Sequence, residues 1–373
     1  MALNTDEMVI ARGGANYKIT LAELAALLSG GPVDTLTVTP AADLDDYAPL
    51  GFATAARLGF NASASIVLSG LAGGSDGREI VISNRSTDFL LVLEHQGTGS
   101  LAANRFDLPN GFPFFLMPGD RAQFTWSATS SRWQLNYASS NASQMGLAFF
   151  TDFLGGTATA NLGVVGGAGI FVSGTGAAAA ASTYLNNTVE KPMGLIQLTS
   201  GTTATGRAGV GDNGTGSIVP KQGCALSVSR IALQALPTAA ETFQVLSGFV
   251  DSLAAGALTD GAAWNARWNG AAAEWSQDRF AAAVATRTAA GSPAPDTNYI
   301  WLATFLNADW TRADYLYSTD SVNWVKAGSQ TTGLPSATQQ TSWVAAQIIK
   351  SVGTTARLIA VDLAGFRVDY VRG

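Results

Sequence analysis

Between Asn61 and Ala138 the chain is written in short apolar or alternating runs. "SASIVLSG", "REIVISNRS", "DFLLVLEHQG", "RAQFTWSA" and "RWQLNYA" are separated by Gly, Asn, Asp and Ser. Period-two alternation closed by turn residues predicts strands with tight connections, hence a small β-domain over 61–140. Within it, "SLAANRFDLPNGFPFFLMPGD" carries three prolines and an aromatic cluster and is expected to be a long ordered loop packed under the sheet. The alternation returns after Lys191. "MGLIQLT", "CALSVSRIAL", "TFQVLSGFV", "AAWNARWNG", "AEWSQD", "RFAAAVATRT", "YIWLATFLNA" and the runs after them give about a dozen strand candidates with no helical period between them. That pattern predicts a two-sheet antiparallel β-sandwich over 191–373. The fold class is all-β.

One stretch has helical spacing. In "LAELAALL" the apolar positions follow Thr20 and Glu23, which stand at capping-box spacing, and Gly30 supplies a stop. A helix of about two turns is marginal alone, so the segment 1–31 is read as a docking element. Residues 32–60 mix Pro, Asp and Gly with isolated apolar positions and read as a linker or extended arm. Residues 141–190, "GGTATANLGVVGGAGIFVSGTGAAAAAS" among them, form a Gly/Ala-rich connector too weakly patterned to fold by itself.

Charge alters this picture by its scarcity. Only 13% of positions are charged, 21 basic and 27 acidic, for a net of −6, where an ordinary soluble domain carries about a quarter. With 41 glycines, such a surface is expected to be hidden by partner chains, which favours an oligomer. No Lys/Arg run reaches the density that a phosphate backbone selects, so nucleic acid is not expected as a partner. Cys224 is the single cysteine and His95 the single histidine, which excludes intrachain disulfides, thiolate cages and multi-imidazole metal sites. Cys224 is read as a small buried hydrophobe. Asp6 and Glu7 stand where a signal peptide needs positive charge, and no apolar run is long enough for a span. Cytosolic synthesis without membrane insertion is the expectation.

The motifs that could carry chemistry fail on context. "GTTATGRA", 201–208, has glycines at phosphate-loop spacing but Arg207 for the lysine and Ala208 for the hydroxyl residue, and Gly209, Gly211, Gly214 and Gly216 cannot sustain the helix such a loop needs. A Gly/Thr-rich strand connection is the reading. "YSTDSVNW", 317–324, resembles the Asp-box of sialidases at Ser318 and Asp320, but Val322 replaces the glycine and Trp324 comes one residue early. It is read as a β-hairpin turn built on Asp320 and Asn323. No Glu-x-Asp-x-x-Glu strand of a retaining glucanase is present; the seven glutamates are scattered, and Glu274 and Asp278 lack a third partner. His95, near Ser100, has no Gly-x-Ser-x-Gly elbow beside it and reads as a loop-packing histidine. No catalytic set, cofactor site or metal site is expected.

The aromatics point to binding. Seven of nine tryptophans follow residue 260, and "WNARWNGAAAEW" sets Trp264 and Trp268 on one face of a strand with Asn265, Arg267 and Asn269 around them. Aromatic faces rimmed by amides and charges hold sugars; core packing between the sheets is the competing use of each tryptophan. The five are the candidate glycan-binding residues.

On "SLAANRFDLPNGFPFFLMPGDRAQFTWSATSSRWQL", with its "ANRF" run, Pro118-Gly119-Asp120 turn and Arg132-Trp133, the segment 61–138 resembles a β-domain recurring in tail fibres of tailed bacteriophages. "VIARGGANYKITLAELAALL" looks like the virion-attachment segment that opens many such fibres. "GLIQLTSGTTATGRAGVG", "IIKSVGTTARLIAVDLAGF" and the closing "VDYV" are similar to the concanavalin-like jelly rolls that end phage structural proteins. The resemblance implies a homotrimeric fibre or spike on the virion exterior, attached to other virion proteins through its N-terminal segment. It also implies that the distal domain is presented to the host surface. With the Trp and Asn concentration after residue 260, recognition of host cell-surface polysaccharide is the role expected of the jelly roll. A head-fibre or tail-tip decoration with a structural role is the alternative, and a polysaccharide depolymerase a further one.

Overall fold

The computed structural model describes residues 7–12, 15–20, 35–139, 146–151, 164–165, 168–182, 195–212, 218, 223–251, 258–335 and 340–369. The chain is all-β, as its alternation predicts. Strands β1 (Glu7–Arg12) and β2 (Ala15–Thr20) pair as an antiparallel hairpin. The helix expected over 21–28 lies outside the described residues.

The small domain holds β3 (Thr35–Val38), β4 (Arg57–Phe60), β5 (Ile66–Leu68), β6 (Glu79–Asn84), β7 (Leu91–Leu93), β8 (Phe106–Asp107), β9 (Phe114–Leu116), β10 (Arg121–Ser127) and β11 (Arg132–Ser139). It corrects the sequence reading twice. Residues 32–60 are not a separate arm, because β3 and β4 are the first strands of a six-stranded sheet ordered β3-β4-β6-β10-β11-β8, and Phe52, Leu58 and Phe60 sit in its core. The expected long loop contains β8 and β9, and β9 closes a second sheet, β5-β7-β9. The first half of the domain is a short parallel solenoid: Thr35 stacks on Arg57 and Arg57 on Val81, while Leu44 stacks on Leu68 and Leu68 on Leu93. Each coil alone has too little apolar surface, and stacking supplies a continuous core of Leu58, Ile66, Leu68, Ile80, Ile82 and Leu93. The hairpin β10–β11 then caps the sheet antiparallel, with Phe124 and Trp133 fully buried.

The sandwich is built from β12 (Gly146–Thr151), β13 (Val164–Val165), β14 (Ala168–Ser173), β15 (Ala177–Ser182), β16 (Leu195–Ser200), β17 (Arg207–Gly211), β18 (Ala225–Leu233), β19 (Phe243–Val250), β20 (Gly261–Trp268), β21 (Ala273–Ala281), β22 (Val284–Thr288), β23 (Tyr299–Leu306), β24 (Ala313–Ser318), β25 (Val325–Gln330), β26 (Ser342–Lys350) and β27 (Leu358–Asp369). One sheet runs β15-β16-β27-β18-β23-β24-β25, with β12 pairing β27; the other runs β13-β14-β17-β26-β19-β20-β21-β22. Every pairing in both is antiparallel. The span 141–190 is therefore not wholly a connector: β12 and β15 pair along their whole lengths with β27 and β16, and β14 pairs with β17 over residues 169–173. The "GTTATGRA" stretch carries the chain from β16 in one sheet to β17 in the other. Gly206 packs so closely that a Cβ would lie 1.8 Å from the Ser200 carbonyl oxygen, and Gly201 has φ +67°, so both glycines are required by the crossing itself. A strand, not a helix, follows.

The two domains are welded together. The outer face of the first sandwich sheet carries Leu226, Val228, Ala303, Phe305 and Leu316, and these bury Val67, Leu90, Val92 and Met117 of the small domain in one cluster. Polar contacts lock the seam. Arg367 of β27 forks onto Asp120, with Nη2 2.8 Å from Oδ1, and also reaches Asp369 at 2.6 Å. The Arg312 guanidinium lies 3.8 Å over the Phe89 ring. Asp320 accepts the N–H groups of Val322 and Asn323, as the turn reading expects, and the same Asn323 accepts the Thr98 N–H across the seam at 2.9 Å.

Candidate functional site

The tryptophans after residue 260 are mostly used in packing. Trp264, Trp275, Trp310 and Trp343 lie between the two sandwich sheets. Each has an N–H that must be satisfied when buried, and the Trp264 indole donates to the Ala303 carbonyl at 3.0 Å, the Trp310 indole to that of Gly223 at 3.0 Å. Trp301 and Trp324 fill the seam against the small domain, Trp324 edge-on to Phe115 with ring centres 5.2 Å apart. Of the seven, Trp268 alone keeps a partly exposed ring.

The five predicted residues separate accordingly. Trp264 and Trp268 do share a face of β20, as four-residue spacing requires, but that face points into the sandwich; Trp264 is fully buried and cannot meet a ligand. Asn265 faces the opposite side and is also fully buried, donating to Asp278 at 2.8 Å and to Gln244 at 3.2 Å. Asp278 also takes the Ser276 hydroxyl at 2.6 Å and Arg287 at 3.1 Å, so its carboxylate is already occupied, and Asn265 is closed off from solvent. Sequence spacing places residues on a face and is silent about which side of the sheet is covered.

Of the other three, Arg267 and Asn269 meet around Glu274 at the end of the β20–β21 hairpin, while Trp268, paired opposite Ala273, turns its ring to the other face of the sheet. Asn269 closes the turn: its Oδ1 accepts the N–H groups of Ala271 and Ala272, each at 2.9 Å, and its Nδ2 donates to Glu274 at 2.7 Å. Arg267 pairs with the other oxygen of Glu274 at 2.7 Å, and its Nε has no hydrogen-bond partner. On the face opposite the half-buried Trp268 ring the hairpin end thus carries a guanidinium, a carboxylate and a carboxamide. This polar set can hydrogen-bond a ligand at the hairpin end, and the Trp268 ring offers a partly exposed aromatic edge on the other face.

The remaining reactive side chains are held in structural roles. His95 accepts the Leu108 N–H on Nδ1 at 3.0 Å, while the Ser100 hydroxyl lies 2.6 Å from that of Ser69 and accepts the Asp46 N–H at 2.8 Å. The two do not form a nucleophile–base pair. Cys224 is buried in the seam cluster, where burial pushes its thiol up to about 12. Glu94 is buried at the same seam, accepting the Trp324 N–H; burial pushes its carboxyl up to about 7, with Asp45, Asp43 and Asp320 adding in the same direction.

Sequence reasoning missed a second polar surface. On the outer face of the six-stranded sheet a groove of about 720 Å³ is lined by Arg57, Arg85, Arg121, Ser83, Gln123 and Tyr137, among others. The arginines are spread over more than sixty positions, so no local count of basic residues could find them. The available signal was alternation: Arg57, Val81, Gln123 and Tyr137 share one cross-strand row, and Gly59, Ser83, Arg121 and Ser139 share the next.

No protein-family model matches the chain, and no curated protein matches it. Solved structures resemble it at low identity. A protein of unknown function from Shewanella oneidensis MR-1 is 15% identical, with TM-score 0.45, over 61% of this chain and 89% of that one. Peanut lectin is 9% identical, with TM-score 0.37, over 61% and 99%. A carbohydrate esterase from the Shiga toxin-encoding bacteriophage phi24B is 14% identical, with TM-score 0.34, over 54% and 90%.

Proposed function

We propose that the protein is a non-enzymatic adhesion subunit of a tailed-phage fibre, displayed on the virion as a homotrimer, whose concanavalin-like sandwich recognises host-surface polysaccharide. The observation that carries the reading is the hairpin end of β20–β21, which carries a half-buried Trp268 ring on one face and the Arg267–Glu274 pair with Asn269 on the other. A sugar ring stacks its C–H face on an aromatic plane and spends its hydroxyls on charged and amide groups. A single such site binds weakly, and several copies per particle would multiply the affinity without new contacts. The sparse charge of the chain and the fibre-like N-terminal sequence support the same assignment.

The test is binding of the labelled full-length protein to host cells before and after periodate oxidation of surface glycans, with Trp268→Ala alongside. Adhesion through the hairpin requires that oxidation abolish binding and that the variant lose about tenfold or more, the worth of a stacked ring. Equal binding by the variant would remove the hairpin as the site. Binding that survives oxidation would remove glycan recognition and favour a structural place in the particle.

A further inference from the structure

We infer that the groove on the outer face of the small domain's six-stranded sheet is a second ligand site, selective for a saccharide that carries several anionic groups: sulfate, phosphate or carboxylate. The anion preference rests on the groove alone. That the anions are carried by a saccharide rests on the adhesion reading above.

The sheet itself builds the site. Leu36, Leu58, Ile80, Ile82, Ala122 and Phe124 turn inward to the core, so the residues between them must face out. The outward positions bring Arg57 of β4 and Arg121 of β10 to either side of β6, about 12 Å apart at two strand spacings and one two-residue step along the strand. Arg85, just past β6, folds back across β4. It can do so because Gly59 has no side chain: a Cβ there would lie 2.7 Å from Arg85 Cδ, and the guanidinium reaches Thr37 Oγ1 at 3.4 Å. Three exposed guanidinium groups thus look into one groove, with Ser83 and Gln123 on its lining and Tyr137, 62% exposed, at one side.

None of the three arginines has a carboxylate partner among the described residues. The nearby acids are engaged elsewhere: Glu79 accepts the Gln123 amide at 3.2 Å, Asp88 accepts the Thr87 hydroxyl at 2.8 Å, and Asp120 is held by Arg367. On a chain of net charge −6, three such cations in one concavity are a local reversal of sign. Guanidinium groups bind oxyanions with two parallel N–H donors each. Because the three stand on separate strands, one small anion cannot satisfy them, whereas a ligand with repeated anions can. Nucleic acid is disfavoured by the acidic balance of the whole chain and by the presence of a single exposed ring for stacking.

Dextran sulfate and unsubstituted dextran differ only in their anions and are the probes, with polygalacturonate as a carboxylate arm. Titration calorimetry of the full chain at low and moderate salt should show binding of dextran sulfate or polygalacturonate, weakening as salt rises, and none of dextran. The triple variant Arg57→Gln, Arg85→Gln, Arg121→Gln should lose at least tenfold, and the triple Arg→Lys variant should recover part of it. Circular dichroism and sedimentation must show that the variants keep the fold and assembly state. Undiminished binding by the Gln variant, tighter binding of a single-stranded oligonucleotide than of either polymer, or a changed assembly state in the Gln variant would each overturn the site. Trp268→Ala should leave this binding intact, so failure of the hairpin and failure of the groove can be told apart.

Discussion

The two domains use the same residue in opposite ways. In the sandwich most arginines are tied to acids: Arg230 to Asp362, Arg267 to Glu274, Arg287 to Asp278, Arg312 to Asp314, and Arg367 to both Asp120 and Asp369, whereas the buried Arg279 donates to the Thr288 hydroxyl at 3.2 Å. In the small domain Arg57, Arg85 and Arg121 stand open in a groove. The difference follows from burial. A guanidinium taken out of water loses hydration that a hydrogen-bonded carboxylate restores best, whereas one left in water needs no partner to be stable. Paired arginines therefore mark where the protein holds itself together, and open ones where it can hold something else.

The seam is where breaking this contrast should have its largest effect. Arg367 and Asp120 are both nearly buried and joined by a two-point fork. Truncating Arg367→Ala leaves the Asp120 carboxylate buried without its main cation, a change that costs about 3 kcal/mol. Chemical denaturation should show that loss, and the small domain should become the more easily cleaved by protease. A loss under about 1 kcal/mol would mean that the seam stands on its apolar cluster alone.

A smaller effect is expected from a charge that is buried yet has no cation. Glu94 sits at the same seam with its carboxyl raised from an ordinary value of 4.5 to about 7, first by burial and then by neighbouring acids. The folded protein therefore holds a proton that the unfolded chain releases. Stability from this group is complete below about pH 4.5 and is lost as pH rises through about 7. Glu94→Gln keeps the acceptor for the Trp324 N–H and removes the charge, so melting curves should coincide at pH 4 and separate at pH 8. There the variant should be the more stable by about 2 kcal/mol. Parallel pH profiles for the two proteins would show that Glu94 is ionised without penalty.

Much of the sandwich was legible because alternation and turn residues are local signals. What was not legible depends on neighbours distant in sequence. "AEWSQD" and "RFAAAVATRT" read as two strands, but β21 runs unbroken through Asp278 and Arg279 and turns only at Ala282 and Ala283, with φ +49° and +66°. Alanine gives no turn signal, and the left-handed conformation there costs about 1 kcal/mol per residue, which the pairing of β21 with β22 offsets. The solenoid coils were hidden because the stacked positions Thr35, Arg57 and Val81 share no residue type. For the candidate site, spacing correctly set Trp264 and Trp268 on one face, but which face is covered is decided by the other sheet. The tryptophan-rich segment looked like a binding surface because the aromatic content that fills a core and that which stacks on a sugar are the same content.

The smallest expected effect is the most telling for the contrast between paired and open arginines. Arg121 has an exposed side chain, no carboxylate partner among the described residues, and Ser83 and Ser139 as its cross-strand neighbours. Replacing it with Gln removes one charge from a surface where like charges face each other, and leaves the inward side of β10, with Ala122 and Phe124, untouched. Stability should shift by no more than about 0.5 kcal/mol, and toward greater stability at low salt, since mutual repulsion among three cations is relieved. Denaturant titrations at low and high salt measure this directly. If Arg121→Gln instead destabilises by 1 kcal/mol or more at both salt concentrations, the arginine is part of the scaffold after all, and the groove loses its claim to be a surface kept open for a ligand.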